Sequence, residues 1–348
     1  MIVSSTGSGV GVRGVNALYL LLITIGCGLA GCSCAPCPDD LHCSRDLVYG
    51  SGYVASEAGD VPVLAPLRMD CIRLDDAGDA RRPAVILLHG GGFESGSKED
   101  ENHAAMARSL ARCGYVCFLV DYRLTCDHPP AAASCADPVS CAFHAAVVDA
   151  KTALRHISAN AGAYGVDPLK TAYLGDSAGA IAALAAGLSG PDQFAADGPQ
   201  YPVPPENYPG VETRTLAIVN LWGTGDYFPE LFTPQAPPIM TVHGALDFIV
   251  GDSLAPALHI DAWCRENGTP HLFYPLPDAG HGAWDAVVEG KPLSLLIAEF
   301  LDGCLEPPPL PDPAKAGTLR LFWSKFITAA RCAPSIFGVP TAAPFSGS

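Results

Sequence analysis

From Arg82 onward the chain alternates continuous apolar runs with stretches long enough for helices. The runs fall at 84–88 (AVILL), 116–120 (VCFLV), 171–174 (TAYL), 216–221 (LAIVNL), 239–242 (IMTV) and 272–274 (LFY). None of them alternates apolar with polar residues, so each must bury both of its faces. A parallel sheet covered by helices on both sides meets that demand. Helix-length stretches at 102–113, 142–161, 178–188, 253–266 and 292–301 lie between or after the runs. The repetition predicts an α/β fold with a mostly parallel central sheet.

Composition sets outer bounds. The 348 residues suit one large domain with tails. Charged residues make up 16% against 49% hydrophobic, which excludes a disordered polyelectrolyte. Thirty-six acidic residues against 20 basic ones give a formal charge of −16, and no Lys/Arg cluster offsets it locally. A nucleic-acid partner is therefore excluded.

The N-terminal region reads as an export signal. Residues 15–31 (VNALYLLLITIGCGLAG) are apolar but short of the roughly 20 residues a spanning helix needs. The run ends Leu29-Ala30-Gly31-Cys32, which resembles the lipobox of bacterial lipoproteins and makes Cys32 the candidate lipidation site. A plain cleaved signal or an uncleaved anchor are the other readings. The chain divides into a signal (1–31), a cysteine-bearing linker (32–59), a large α/β domain (60–303) opening on an entry hairpin, and a proline-rich tail (304–348) with room for a helix at 314–331. Without Cys27 and Cys32, twelve of the 14 cysteines remain. An even number fits an oxidising compartment. Cys34, Cys37 and Cys43 lack the following pair that zinc spacing needs, so they read as a disulfide-tied stalk. The protein is expected in the bacterial envelope on a lipid anchor, or secreted.

Four segments carry chemistry. Gly175-Asp176-Ser177-Ala178-Gly179 follows the TAYL run and opens a helix of small residues, the setting of a nucleophile elbow. An ordinary glycine-rich turn matches the same five residues, so the context matters more than the pattern. His89-Gly90-Gly91-Gly92-Phe93 follows the AVILL run. Its three glycines leave backbone N–H groups unshielded and free to turn toward a ligand, and with the Ala178 N–H they could form an oxyanion hole. His89 reads as a brace for that loop. A serine nucleophile needs a base, and the base needs an orienting acid. Asp247 follows the IMTV run and His281 follows the last run in a glycine-flanked loop, giving the order Ser, Asp, His. Asp226 and Asp278 are rival acids; Asp278 stands awkwardly close to His281 in sequence.

HGGGF (89–93), VDYRL (120–124), AGAYGVDPLKTAYLGDSAGA (161–180), HGALDFIV (243–250) and DAGHGAW (278–284) together resemble the α/β-hydrolase esterases. The similarity is greatest to bacterial carboxylesterases of the feruloyl-esterase-like (BD-FAE-like) kind, then to hormone-sensitive-lipase-like esterases. It implies an α/β-hydrolase fold over roughly 60–303 and a serine carboxylesterase acting through an acyl-enzyme on a small-molecule or polymer-linked ester. Ser177 would be nucleophile, His281 base, Asp247 orienter, and Gly91, Gly92 and Ala178 oxyanion donors, with no metal or organic cofactor. Tyr122 and Arg123 match a structural turn. Ala180 departs from the pattern, standing where many relatives have glycine. Two other readings share the fold: a prolyl-oligopeptidase-like peptidase, disfavoured by Gly92 where those relatives usually have Pro, and a catalytically idle surface-binding module, disfavoured by the complete triad.

The segment after Arg123 is longer than in relatives and carries Cys126, Cys135 and Cys141. With little apolar surface of its own, it is expected to hold a disulfide between Cys126 and Cys135 or Cys141, the remaining cysteine reaching Cys113 or Cys117. For the N-terminus, a Cys32→Ser substitution is expected to release the protein to soluble fractions or leave an unprocessed precursor. Mass spectrometry of the membrane fraction checks this, and an unmodified N-terminus elsewhere would refute the tether.

Overall fold

The computed structural model describes residues 37–56, 61–75, 81–130, 132 and 135–305. The signal segment, Cys32, Cys34 and the tail from 306 onward lie outside the described residues.

Among the described residues eight strands form one sheet. They are β1 (Leu41–Val54), β2 (Val63–Leu74), β3 (Arg82–Leu88), β4 (Val116–Val120), β5 (Val166–Asp176), β6 (Thr215–Leu221), β7 (Ile239–Gly244) and β8 (His271–Leu276), in the order β1-β2-β4-β3-β5-β6-β7-β8. From β4 to β8 every neighbouring pair is parallel. β1 and β2 form an antiparallel hairpin on the β4 edge. The apolar runs all became sheet strands, and the entry hairpin is present. It starts earlier than the sequence suggested: residues 41–54, read as linker, are β1. Only Leu41, Tyr49, Gly50 and Gly52 of β1 are buried, so this edge strand carries little apolar signal.

Side-chain alternation along the strands explains the helices. On β3, Ala84, Ile86 and Leu88 pack into one core with Ala146 and Ala150 of α2 (Pro138–Ala159) and Ile181 and Ala182 of α4 (Ala178–Leu188). Val85 and Leu87 point the other way, into a core with Met106 and Leu110 of α1 (Glu101–Arg112) and Ile297 and Leu301 of α6 (Leu293–Leu305). Strands buried on both faces need no polar side, hence the unbroken runs. A short α3 (Ala161–Tyr164) precedes β5, and α5 (Ala255–Asn267) connects β7 to β8.

Arg123 ties together four separate segments just beyond β4. It is 3% exposed. Its Nε and Nη2 donate to Asp149 of α2 at 2.9 and 2.7 Å, and its Nη1 and Nη2 to Asp197 at 2.8 Å each. Nη1 also reaches the Tyr53 carbonyl of β1 at 2.9 Å. This fixes the irregular 189–213 excursion, which supplies Asp197, against the body of the domain.

The disulfides differ from expectation. Cys37 and Cys43 are bonded, in keeping with a tied stalk. Cys126, Cys135, Cys141, Cys113 and Cys117 are thiols, so the pairing proposed for the insertion is not made. The segment is secured by polar contacts instead. Asp137 caps α2 by accepting from the Val139 and Ser140 N–H groups, while Ser140 Oγ accepts from Ala136 and Asp137 N–H. Cys117 sits in the middle of β4, fully buried, where its thiol simply packs.

Arg123→Leu would leave two carboxylates facing each other in the interior. The expected loss of stability is about 3–5 kcal/mol, read from the urea unfolding midpoint. A loss below about 1 kcal/mol would show that water or relaxation compensates the carboxylates.

Candidate active site

The end of β5 and the start of α4 define the site. Ser177 has φ 51° and ψ −121°, a conformation that L-residues adopt rarely. It persists because both sides are locked. Ser177 N–H donates to the Leu221 carbonyl of β6 at 2.9 Å, and the Ile181 N–H of α4 donates to the Ser177 carbonyl at 3.1 Å. The flanking glycines let the turn close: a Cβ on Gly175 would stand 2.2 Å from the Gly179 carbonyl oxygen, and one on Gly179 only 2.0 Å from that of Leu88. The small residues of α4 serve the same close approach between helix and sheet.

The loops after β7 and β8 bring the partners. Asp247 lies three residues past β7 and has no exposed surface. The two loops are in close contact: Leu246 N–H donates to the Ala279 carbonyl at 2.9 Å, and Ala245 N–H to that of Leu276 at 2.8 Å. His281 Nδ1 is 2.8 Å from Asp247 Oδ2, and His281 Nε2 is 2.8 Å from Ser177 Oγ. The second oxygen of Asp247 accepts the Ile249 N–H at 2.9 Å, which fixes the carboxylate plane. The three side chains singled out from the sequence therefore form one hydrogen-bonded line. Such a line orients the imidazole and lets Nε2 take the serine proton. The rival acids lie elsewhere: Asp226 accepts from His259 Nδ1 at 2.8 Å, and Asp278 is exposed.

The 89–93 loop runs beside the elbow. A Cβ on Gly90 would stand 2.6 Å from Asp176 Oδ2. Gly91 and Gly92 have φ of 115° and 67°, which glycine adopts freely. The Gly91 carbonyl is occupied by the N–H groups of Glu94 and Ser95, both at 3.1 Å. Ala178 is the first residue of α4, where N–H groups have no acceptor within the helix. His89 braces this loop: its Nδ1–H donates to the Gly90 carbonyl at 2.7 Å and its ring stacks on Tyr122 at 4.3 Å. Tyr122 OH donates back to the His89 carbonyl at 2.5 Å. Burial pushes the His89 imidazole down to about 4, so it is neutral near pH 7.

Sequence reasoning assigned no role to three further groups at the site. His243, at the end of β7, is fully buried with Nε2 3.5 Å from Asp247 Oδ2, and burial pushes its imidazole down against the pull of Asp247. Trp222 follows β6 with φ 44° and packs edge-on against Trp284, 5.1 Å away. His103 of α1 bonds Asp176, the residue before Ser177. The motif GDSAG contained Asp176, but nothing in the sequence indicated its partner 73 residues away. Among the described residues no cluster of three or more His, Cys, Asp or Glu side chains is arranged to hold a metal.

Residues 69–230 match the BD-FAE family model. Among curated relatives, the chain is 26% identical over 250 residues to Esterase LipC of Mycobacterium tuberculosis, covering 62% of this chain and 56% of that protein. It thus spans little more than half the length of this relative. Among solved structures, a truncated carbohydrate esterase from gut microbiota superposes with a TM-score of 0.57 at 16% identity, over 77% of this chain and 98% of that one. Thermogutta terrifontis esterase 2 phosphoramylated by tabun gives 0.56 at 20% identity, over 78% and 98%. The fold is that of the α/β-hydrolases, as the motif resemblance implied.

Gly179→Ala is expected to destabilise the domain by about 1–3 kcal/mol or more, because its methyl would collide with backbone rather than a movable side chain. Thermal unfolding checks this; an unchanged melting temperature would mean that the elbow is looser than its contacts indicate.

Proposed function

We propose that this protein is a serine hydrolase of carboxylic esters. The observation that carries the proposal is the Ser177–His281–Asp247 line on a strained strand–helix turn. The match to the BD-FAE model and the likeness to proteins titled esterases support it.

In this reading His281 Nε2 takes the proton from Ser177 Oγ as the oxygen attacks the ester carbonyl. The oxygen of that carbonyl becomes an anion, stabilised by the N–H groups of Gly91, Gly92 and Ala178. Collapse of the tetrahedral adduct breaks the ester C–O bond, and the departing alkoxide receives the proton from His281. Water then attacks the acyl-Ser177 ester with His281 again as base. Collapse of that adduct returns the proton to Ser177 and releases the acid. Asp247, fully buried and bonded to His281 Nδ1, stabilises the imidazolium formed in each half-reaction. The substrate is a small or polymer-linked ester, and the enzyme works outside the cytoplasm, tethered through Cys32 or secreted.

Ser177→Ala is expected to lower kcat by about 10⁴- to 10⁶-fold on p-nitrophenyl acetate without unfolding the protein. A fluorophosphonate probe should label the wild-type chain at Ser177 and leave the variant unlabelled. The neighbour phosphoramylated by tabun makes an organophosphorus probe the natural choice. A Ser177→Ala protein retaining a tenth of the activity would refute the assignment. Asp247→Asn should cost far more activity than Asp278→Asn or Asp226→Asn. If either of those two proves the more damaging, the orienting acid is misassigned.

A further inference from the structure

A second histidine–aspartate pair flanks the nucleophile. Asp176 immediately precedes Ser177, and its Oδ1 lies 2.6 Å from His103 Nε2. His103 is 2% exposed. It occupies the first turn of α1, held there by the Asp100 cap, whose Oδ1 accepts the His103 N–H at 3.1 Å and that of Asn102 at 2.9 Å. The other Asp176 oxygen lies against the oxyanion loop, close enough that a Cβ on Gly90 would come within 2.6 Å of it. A carboxylate is thus packed between α1 and the loop that carries Gly91 and Gly92.

That position is electrostatically awkward. In the proposed reaction negative charge develops on the carbonyl oxygen beside Ser177, and a bare carboxylate one residue away would oppose it in a poorly screened site. His89 does not offset the charge, since burial keeps its imidazole neutral. His103 is the side chain bonded to Asp176. Its ring also meets the edge of Trp284, 5.2 Å away and three residues past His281. Trp284 in turn packs on Trp222, which lies 6.4 Å from the His281 ring. His103 therefore touches both the residue before the nucleophile and the loop of the base.

We propose that His103 is a positioning residue for ester hydrolysis: by donating Nε2–H to Asp176 it offsets that carboxylate beside the oxyanion loop and fixes the elbow relative to Gly90. The inference rests on the esterase reading. It concerns the transition state, so it predicts a loss in kcat with little change in KM.

The test is p-nitrophenyl acetate hydrolysis by the full chain, with thermal unfolding run in parallel. His103→Ala should lower kcat by roughly 10- to 100-fold while KM stays within about threefold. His103→Gln keeps an N–H donor and should recover most of the loss. In an Asp176→Asn background, where the charge is gone, His103→Ala should cost less than about threefold. If His103→Ala fails to fold, H103Q against H103M, a donor against a non-donor of similar length, carries the same comparison. Wild-type kcat in the non-donor variants, or an equal loss in the Asp176→Asn background, would overturn the inference while leaving the esterase reading intact. Absence of Ser177-dependent hydrolysis by the wild-type chain would instead remove that reading and the inference with it.

Discussion

One backbone conformation organises the site. Ser177 at φ 51° and ψ −121° is held between the Leu221 carbonyl and the first turn of α4, and it projects Oγ from the carboxyl end of β5. A strained residue of this kind costs of order 1–3 kcal/mol and persists only where its surroundings over-determine it. Here the surroundings are glycine contacts that no other residue can make. Gly179 touches the Leu88 carbonyl, and Gly175 touches the turn itself. The two-sided core has the same origin. The apolar β3 and β5 must lie side by side, with α4 pressed on one face, for Leu88 and Gly179 to meet at all. Packing the centre of the sheet is therefore also what sets the direction of the Ser177 side chain.

The polar groups collect where the apolar strands end. In a parallel sheet the carboxyl ends of the strands point to one edge, and the loops there converge. Loops after β3, β5, β7 and β8 supply His89 to Phe93, Ser177, Asp247 and His281. The carboxylates that enter the interior near the site are matched. Asp247 has one oxygen on His281 and the other on a backbone N–H. Asp149 and Asp197 share Arg123, and Asp176 has His103. This matching follows from the cost of burying an unpaired charge, several kcal/mol per group.

Legibility from sequence followed the same division. The strands from β3 to β8 were visible because their burial on both faces removes polar residues from the run. Ser177, Asp247 and His281 could be picked out because they sit at fixed offsets from those strands and in a fixed order. β1 was not, since an edge strand with one covered face and bulges between Ser44 and Leu47 leaves a broken pattern. The cysteines of the 126–141 insertion misled because a polar capping arrangement around Asp137 and Ser140 does the work assigned to a disulfide. His103, Trp222 and Trp284 carry no local signature. The side-chain contacts that join them to the site span 59 residues or more of chain and exist only after the sheet has closed.

Ala180 shows how a departure from pattern can be absorbed. Its β-carbon adds bulk to the first turn of α4, at a point where the helix approaches the loop after β6. The residue it faces there is Gly223, and a Cβ at 223 would stand 2.6 Å from that of Ala180 and 3.2 Å from the Ser177 carbonyl oxygen. Gly223 is also fixed by its N–H, which donates to Asn220 Oδ1 at 3.0 Å. The methyl of Ala180 therefore occupies space that any side chain at 223 would need. Ala180 is accommodated because Gly223 leaves room for its methyl across the β6–α4 contact.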